Sequence, residues 1–298
     1  MRILNLGRIN KAENLLRQKG EEYSFIESFK FRKLRDYNEK VKFAIFNPLK
    51  FIKKYYKKIS RQFYKRELSV LVVVNHYYGN NNFNGKSSTQ KAEVRKKIVE
   101  RIISELKTLP NVDIKVCGIK GKALVNIDID FSHISDPSFL VYESIEWMAS
   151  QVDKYDYFIN IEDDILLTRE TFESIVEFDE SNTINECFHP NRIEYDENDK
   201  YCVDFKAWPG WKDISKTYNG HELRVANNPH SGVAILSKEK ILYALKNVNL
   251  ERRDKIIGYY MASAYANLHE PFLMFRAYDD IFMHKVIHLD NFDNWIKQ

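Results

Sequence analysis

The sequence predicts an α/β domain whose mixed, mostly parallel sheet is flanked by helices, with a helical appendage ahead of it. Three observations carry that reading. Residues 68–74 form an almost unbroken, valine-rich apolar run, as expected of a strand buried on both faces. Helical and strand-like segments then alternate, which calls for parallel neighbours joined by crossovers. The apolar run 157–161 stops abruptly at Glu162, Asp163 and Asp164, and open α/β sheets bind ligands where their strands end.

Taken in order, an appendage over residues 1–66 precedes a body over 67–298. The first strand stops at Asn75-His76-Tyr77-Tyr78-Gly79, and an Asn- and Gly-rich loop runs on to Ser88. Polar loops in such a place often meet a ligand. Over 91–109, Val94, Ile98, Ile102 and Leu106 recur every four residues before Pro110, which predicts a helix. Residues 112–119 read as the second strand. Residues 137–152 read as a helix with Pro137 in its first turn and Ser135 or Asp136 as cap. Behind the acidic triplet, Thr168 is a natural N-cap for a short helix over 171–178.

Residues 181–222 are polar and aromatic, with Trp208 and Trp211, and read as an irregular insertion beside the site. Asn227-Asn228-Pro229-His230-Ser231-Gly232 leads into a strand over 233–236 and a helix starting near Lys238. Long helical structure is expected over 250–269, ahead of Pro271, and a further helix over 281–287.

Composition is that of an ordinary soluble globular protein, and 298 residues suffice for a large core. No apolar run approaches the roughly 20 residues of a membrane span, and the amino terminus lacks the apolar stretch of a secretory signal. Cys117, Cys187 and Cys202 fit neither a disulfide framework nor a zinc knuckle, so a reducing compartment, the cytoplasm, is expected.

The net charge of +4 is modest but uneven: residues 50–66 hold eight Lys or Arg and no acid. Phe46, Leu49, Ile52, Tyr56, Ile59 and Phe63 recur among them at helical spacing, giving an amphipathic basic helix over 46–66. Such a helix lies on an anionic membrane surface, here the inner face of a membrane, or packs its apolar face on the body. No basic patch recurs later to extend a nucleic-acid footprint, so no nucleic-acid partner is expected.

Three adjacent carboxylates repel one another unless a cation sits among them. Oxygen ligands suit Mg2+ or Mn2+, which keep positions open for waters and phosphates. The bland reading of Glu162, Asp163 and Asp164 is an acidic turn that caps the next helix.

The order of parts resembles a family. A buried first strand ends in a polar loop, an acidic triplet closes a central strand, and His230-Ser231-Gly232 precedes the strand Val-Ala-Ile-Leu. Ala277-Tyr278-Asp279-Asp280 and then His288 follow much later. Over about residues 67–295 this looks like the GT-A class of nucleotide-sugar glycosyltransferases, bacterial-type and family 2-like, with its Rossmann-like fold. The triplet opens with Glu where that class has Asp, and the loop carries one Gly where two are frequent.

The resemblance implies roles residue by residue. Asp164 and His288 would ligate Mn2+ or Mg2+, with His284 as rival to His288, while Glu162 and Asp163 would reach the ribose or donor sugar. Asn75 and Tyr77 would meet the base and ribose, with Glu143 or Asp136 also able to approach. Asp280 would be the general base for an acceptor hydroxyl, with Asp279 as neighbour and cap, giving inversion by direct attack. Trp208, Trp211, His230 and Ser231 would frame the acceptor. The donor would be a UDP-sugar and the acceptor a glycan or lipid-linked glycan of polysaccharide assembly. A nucleotidyltransferase of sugar-nucleotide metabolism and a non-catalytic membrane-associated scaffold are the alternatives from other classes.

Overall fold

The computed structural model describes residues 68–79, 92–195, 200–202, 210–228, 230–256, 258 and 260–289, all within the unit Glu67–Gln298. The basic segment 46–66, the loop 80–91 and Trp208 lie outside the described residues.

The main sheet contains β1 (Val70–Asn75), β2 (Val112–Gly118), β3 (Ile129–Asp130), β4 (Tyr157–Glu162) and β11 (Val233–Ser237), in the order β11-β4-β1-β2-β3. Only β11 runs antiparallel to its neighbour, so the sheet is mostly parallel, as expected. β1 alternates between two buried layers. Leu71 and Val73 face a cluster with Val141, Ile145, Met148 and Leu268. Val70, Val72 and Val74 face Ile102, Leu106, Phe172 and Ile175. Each such Val or Leu contributes about 1.5–3 kcal/mol on burial.

The layers come from helices α1 (Ala92–Leu106), α2 (Leu140–Ala149), α3 (Arg169–Asp179), α4 (Lys238–Asn247) and α5 (Tyr260–His269). A 3-10 turn, Pro137–Phe139, precedes α2, and Asp136 caps it by accepting from the Ser138 amide. Thr168 caps α3 by accepting from the Thr171 amide. Ser237 does the same for α4.

The region expected to be irregular, 181–222, supplies β6 (Glu186–Phe188), β7 (Asn191–Tyr195), β8 (Lys200–Cys202) and β9 (Trp211–Tyr218) to two smaller sheets. β6, β12 (Leu273–Ala277), β10 (His221–Ala226) and β9 form one. β5 (Ile165–Leu166), β13 (Lys285–His288), β7 and β8 form the other. Long-range pairing decides these strands, since β9 keeps most of its side chains exposed and lacks a local apolar signal.

Two helical expectations are corrected. Among the described residues of 250–269 only Tyr260–His269 is helical, and 252–256 are irregular. There Tyr142 Oη donates to the Asp254 carbonyl and Arg253 bonds Glu143 and Glu146, so this segment is strapped onto α2. Residues 281–287 form a turn followed by β13, because Val286 and Ile287 pair with β7 and β5. The three cysteines are buried and free. Among the described residues no helix is long and apolar enough to cross a membrane.

Candidate active site

β1 and β4 lie side by side with Asn75 opposite Glu162. The chain leaves β1 toward β2 on one side and returns to β4 on the other, so their carboxyl ends border a switch point, where open α/β sheets form a crevice. The triplet hangs from this edge. Glu162, Asp163 and Asp164 are all buried, and each is held from a different direction.

Asp163 is gripped by His76 and Arg95. His76 Nε2 accepts from the Leu124 amide at 2.8 Å, so its proton sits on Nδ1 and is donated to Asp163 Oδ2 at 2.5 Å. The Arg95 guanidinium, projecting from α1, donates to Asp163 and also to Asp164 Oδ2 at 3.3 Å through both terminal nitrogens. The first cation among the carboxylates is therefore a side chain of the protein.

The β5-β13-β7 sheet builds the other wall. β5 begins one residue after Asp164 and pairs with β13, His288 opposite Ile165, while the Leu289 amide donates to the Asp164 carbonyl. This sets His288 Nε2 at 3.3 Å from Asp164 Oδ2. β7 runs parallel to β13 and delivers Glu194, whose Oε2 meets His288 Nδ1 at 2.7 Å. Burial pushes the His288 imidazolium toward losing its proton, but Asp164 and Glu194 outweigh that and hold its pKa above the ordinary value. Burial likewise disfavours a charged Glu194, yet His288 and then Arg192 keep its carboxyl below the usual range.

Glu162 faces the turn before β11. Its amide donates to the Gly232 carbonyl at 2.9 Å, and His230 Nε2 lies 3.9 Å from its Oε1. Gly232 is required here, with φ at +71°. A Cβ would come within 2.7 Å of Ile165 Cγ1 and 3.2 Å of Glu162 Oε2. The adjacent Ser231 hydroxyl pairs with His189 Nε2 at 2.6 Å, both residues buried.

The structure thus brings together Glu162, Asp163, Asp164, His230, Ser231 and His288. Thr168 caps α3 through Thr171 as the acidic-turn reading expected, while Asp163 and Asp164 turn to Arg95, His76 and His288. Asn75 is turned inward, contrary to a part in contacting the base: it is buried and donates to Asn160 Oδ1 at 2.7 Å. Tyr77 packs half-buried on the core. His284 is no rival to His288. Its nitrogens meet Ser174 Oγ at 2.9 Å and the Phe188 carbonyl at 3.2 Å, its ring stacks on Phe188, and burial lowers its pKa to about 3. Asp136 caps its own turn, and Glu143 pairs with Arg253.

Asp279 and Asp280 are exposed after β12. Asp279 Oδ1 accepts from the Asp280 amide and lies 3.4 Å from His221, and Asp280 Oδ1 accepts from the Phe282 amide. They cap a turn, not the expected helix. Trp211 meets Tyr278 edge-on at 5.3 Å, and Arg224 lies over the same Tyr278 ring at 3.8 Å.

His76, Arg95 and Glu194 were not singled out from the sequence. His76 had a usable signal, since it follows the last residue of a buried strand. Arg95 lies 68 residues from Asp163 within an ordinary charged helix. Glu194 sits on a strand that only the small sheet reveals.

The carboxylates and His288 fit a hard divalent ion of the kind that keeps most positions for water and phosphate. Among the described residues no group of three or more His, Cys, Asp or Glu side chains is arranged to cage a metal, but Mg2+ and Mn2+ commonly take only one or two protein ligands. Two ligands at right angles on an octahedral ion lie about 3 Å apart given bond lengths of about 2.1 Å, near the 3.3 Å between Asp164 Oδ2 and His288 Nε2.

No protein-family model matches the chain, and no curated protein does. Among solved structures, the chain is similar to a glycosyltransferase involved in the glycosylation of the major capsid of PBCV-1. Identity is 12%, with coverage of 74% of this chain and 92% of that one, and the TM-score is 0.35.

Proposed function

We propose that this protein is a metal-dependent glycosyltransferase that moves a sugar from a nucleotide-sugar donor, a UDP-sugar by resemblance, to a glycan or lipid-linked acceptor with inversion. What supports it most is the facing of Asp164, just beyond the carboxyl end of β4, and His288, at the end of β13, both buried and framed by charged partners. Bound there, Mn2+ or Mg2+ would neutralise charge on a departing diphosphate.

The chain's own residues do the rest. His76 and Arg95 fix Asp163, leaving its orientation no freedom to drift. His230, Ser231 and Glu162 line the adjoining wall, where oriented polar groups suit sugar hydroxyls. Asp280, exposed two residues after Tyr278, takes the proton of an acceptor hydroxyl, and the Trp211–Tyr278 pair offers a face for a sugar ring. Residues 46–66 would hold the enzyme near an anionic membrane.

The test is hydrolysis of a panel of nucleotide sugars with Mn2+ or Mg2+, because slow cleavage by water needs no known acceptor. Wild type should cleave one class of donor, and Asp164→Asn should lower that rate by about 10²–10³-fold. Absence of cleavage or binding across the panel contradicts the proposal.

A further inference from the structure

We infer that Glu194, held by Arg192, is a positioning residue that keeps the proton on His288 Nδ1 and so presents the bare Nε2 to a divalent cation. The inference rests on the metal-binding reading of Asp164 and His288. Its own basis is separate: Glu194 Oε2 lies 2.7 Å from His288 Nδ1, and Glu194 Oε1 accepts from Arg192 Nε at 2.7 Å. All three side chains are buried.

A neutral imidazole has one N–H and one bare nitrogen, and the partner of one nitrogen decides the state of the other. Because Glu194 only accepts, it holds a hydrogen on Nδ1; Nε2 faces Asp164, and a divalent cation bound beside Asp164 takes the lone pair there in place of any proton. Carboxylates behind metal-bound histidines act in this way. Arg192 occupies the second Glu194 oxygen and stops the carboxylate from rotating. The parallel register of β7 and β13 sets the spacing, because Ile193 pairs with Ile287 and the next residue on each strand is Glu194 or His288.

The test measures Mn2+ affinity of the full chain by electron paramagnetic resonance, without donor or turnover. Glu194→Gln, whose amide can donate to Nδ1 and so release the other tautomer, should weaken Mn2+ binding by about 10–100-fold. In a His288→Ala background the same change should have no further effect, since Glu194 acts through His288. A structural role alone would lower the melting temperature while leaving Mn2+ affinity intact, and that result overturns the inference. Should Glu194→Gln not fold, two-bond proton–nitrogen NMR of histidine-labelled wild type with Mg2+ decides. Hydrogen on Nδ1 is expected, and hydrogen on Nε2 overturns the inference. Wild type that binds neither Mn2+ nor Mg2+ would instead remove the metal reading itself, and this inference with it.

Discussion

Two acidic clusters among the described residues are built in opposite ways. Glu162, Asp163 and Asp164 are buried at the end of β4 and held by Arg95, His76 and His288, which come from a helix, a loop and a strand distant in sequence. Asp279 and Asp280 are exposed, with partners on the adjoining hairpin and in their own turn. Burying charge is costly unless each group is paired, so the first cluster reflects tertiary structure committed to one geometry. The second costs little to form and is free to meet something arriving from solvent. A fixed ion site and an accessible base have those two sets of requirements.

The comparison is broken most forcefully at Arg95. Arg95→Met leaves Asp163 and Asp164 buried without their guanidinium and should cost about 3–5 kcal/mol of stability in urea unfolding. Mn2+ should recover part of that loss, raising the melting temperature more in the variant than in wild type. An unchanged unfolding midpoint would mean that Arg95 is not a structural cation of the cluster.

Gly232→Ala comes next. The left-handed backbone and the contact with Ile165 predict a loss of about 1–3 kcal/mol, measured in the same way.

The third effect is a pH profile of metal-free stability. His288 has a raised pKa when folded, so its contribution is present below the ordinary value of 6.5 and lost as pH rises through the raised one. Glu194 has a lowered pKa, so its contribution is present above 4.5 and lost as pH falls through the lower value. Glu194→Gln should flatten both limbs of the melting-temperature profile, whereas retention of both would contradict the pairing.

Asp280→Asn should have the smallest effect on stability, within about 0.5 kcal/mol. Loss of this base for the acceptor hydroxyl should lower transfer by about 10²–10⁴-fold. A large loss of stability would show that the second cluster is not the loosely held one described.

These contrasts also explain how far the sequence could be read. β1, β4 and the triplet were legible because buried parallel strands are nearly continuous apolar runs that end where the ligand crevice begins, and β2 because Val112, Ile114 and Val116 alternate with polar residues. Thr168 was legible as a cap because capping is local. The strands from β6 to β10 were not, since β9 is stabilised by pairing while most of its side chains stay in solvent. Residues 281–287 read as a helix behind the cap offered by Asp279, and pairing with β5 and β7 makes their second half a strand.

The candidate site divides the same way. The acids and His288 were legible as chemistry-bearing residues in a given order. Arg95, which answers the question of what cation sits among the carboxylates, was not, because a contact across 68 residues has no local trace.

The most direct measurement of the central claim is the melting temperature of wild type and Asp164→Asn with Mn2+ and UDP added separately and together. A ligand that binds only the native state must raise that temperature. Wild type should shift most with both present, and Asp164→Asn should lose that joint shift. A full joint shift in the variant, or none in wild type, would contradict the site.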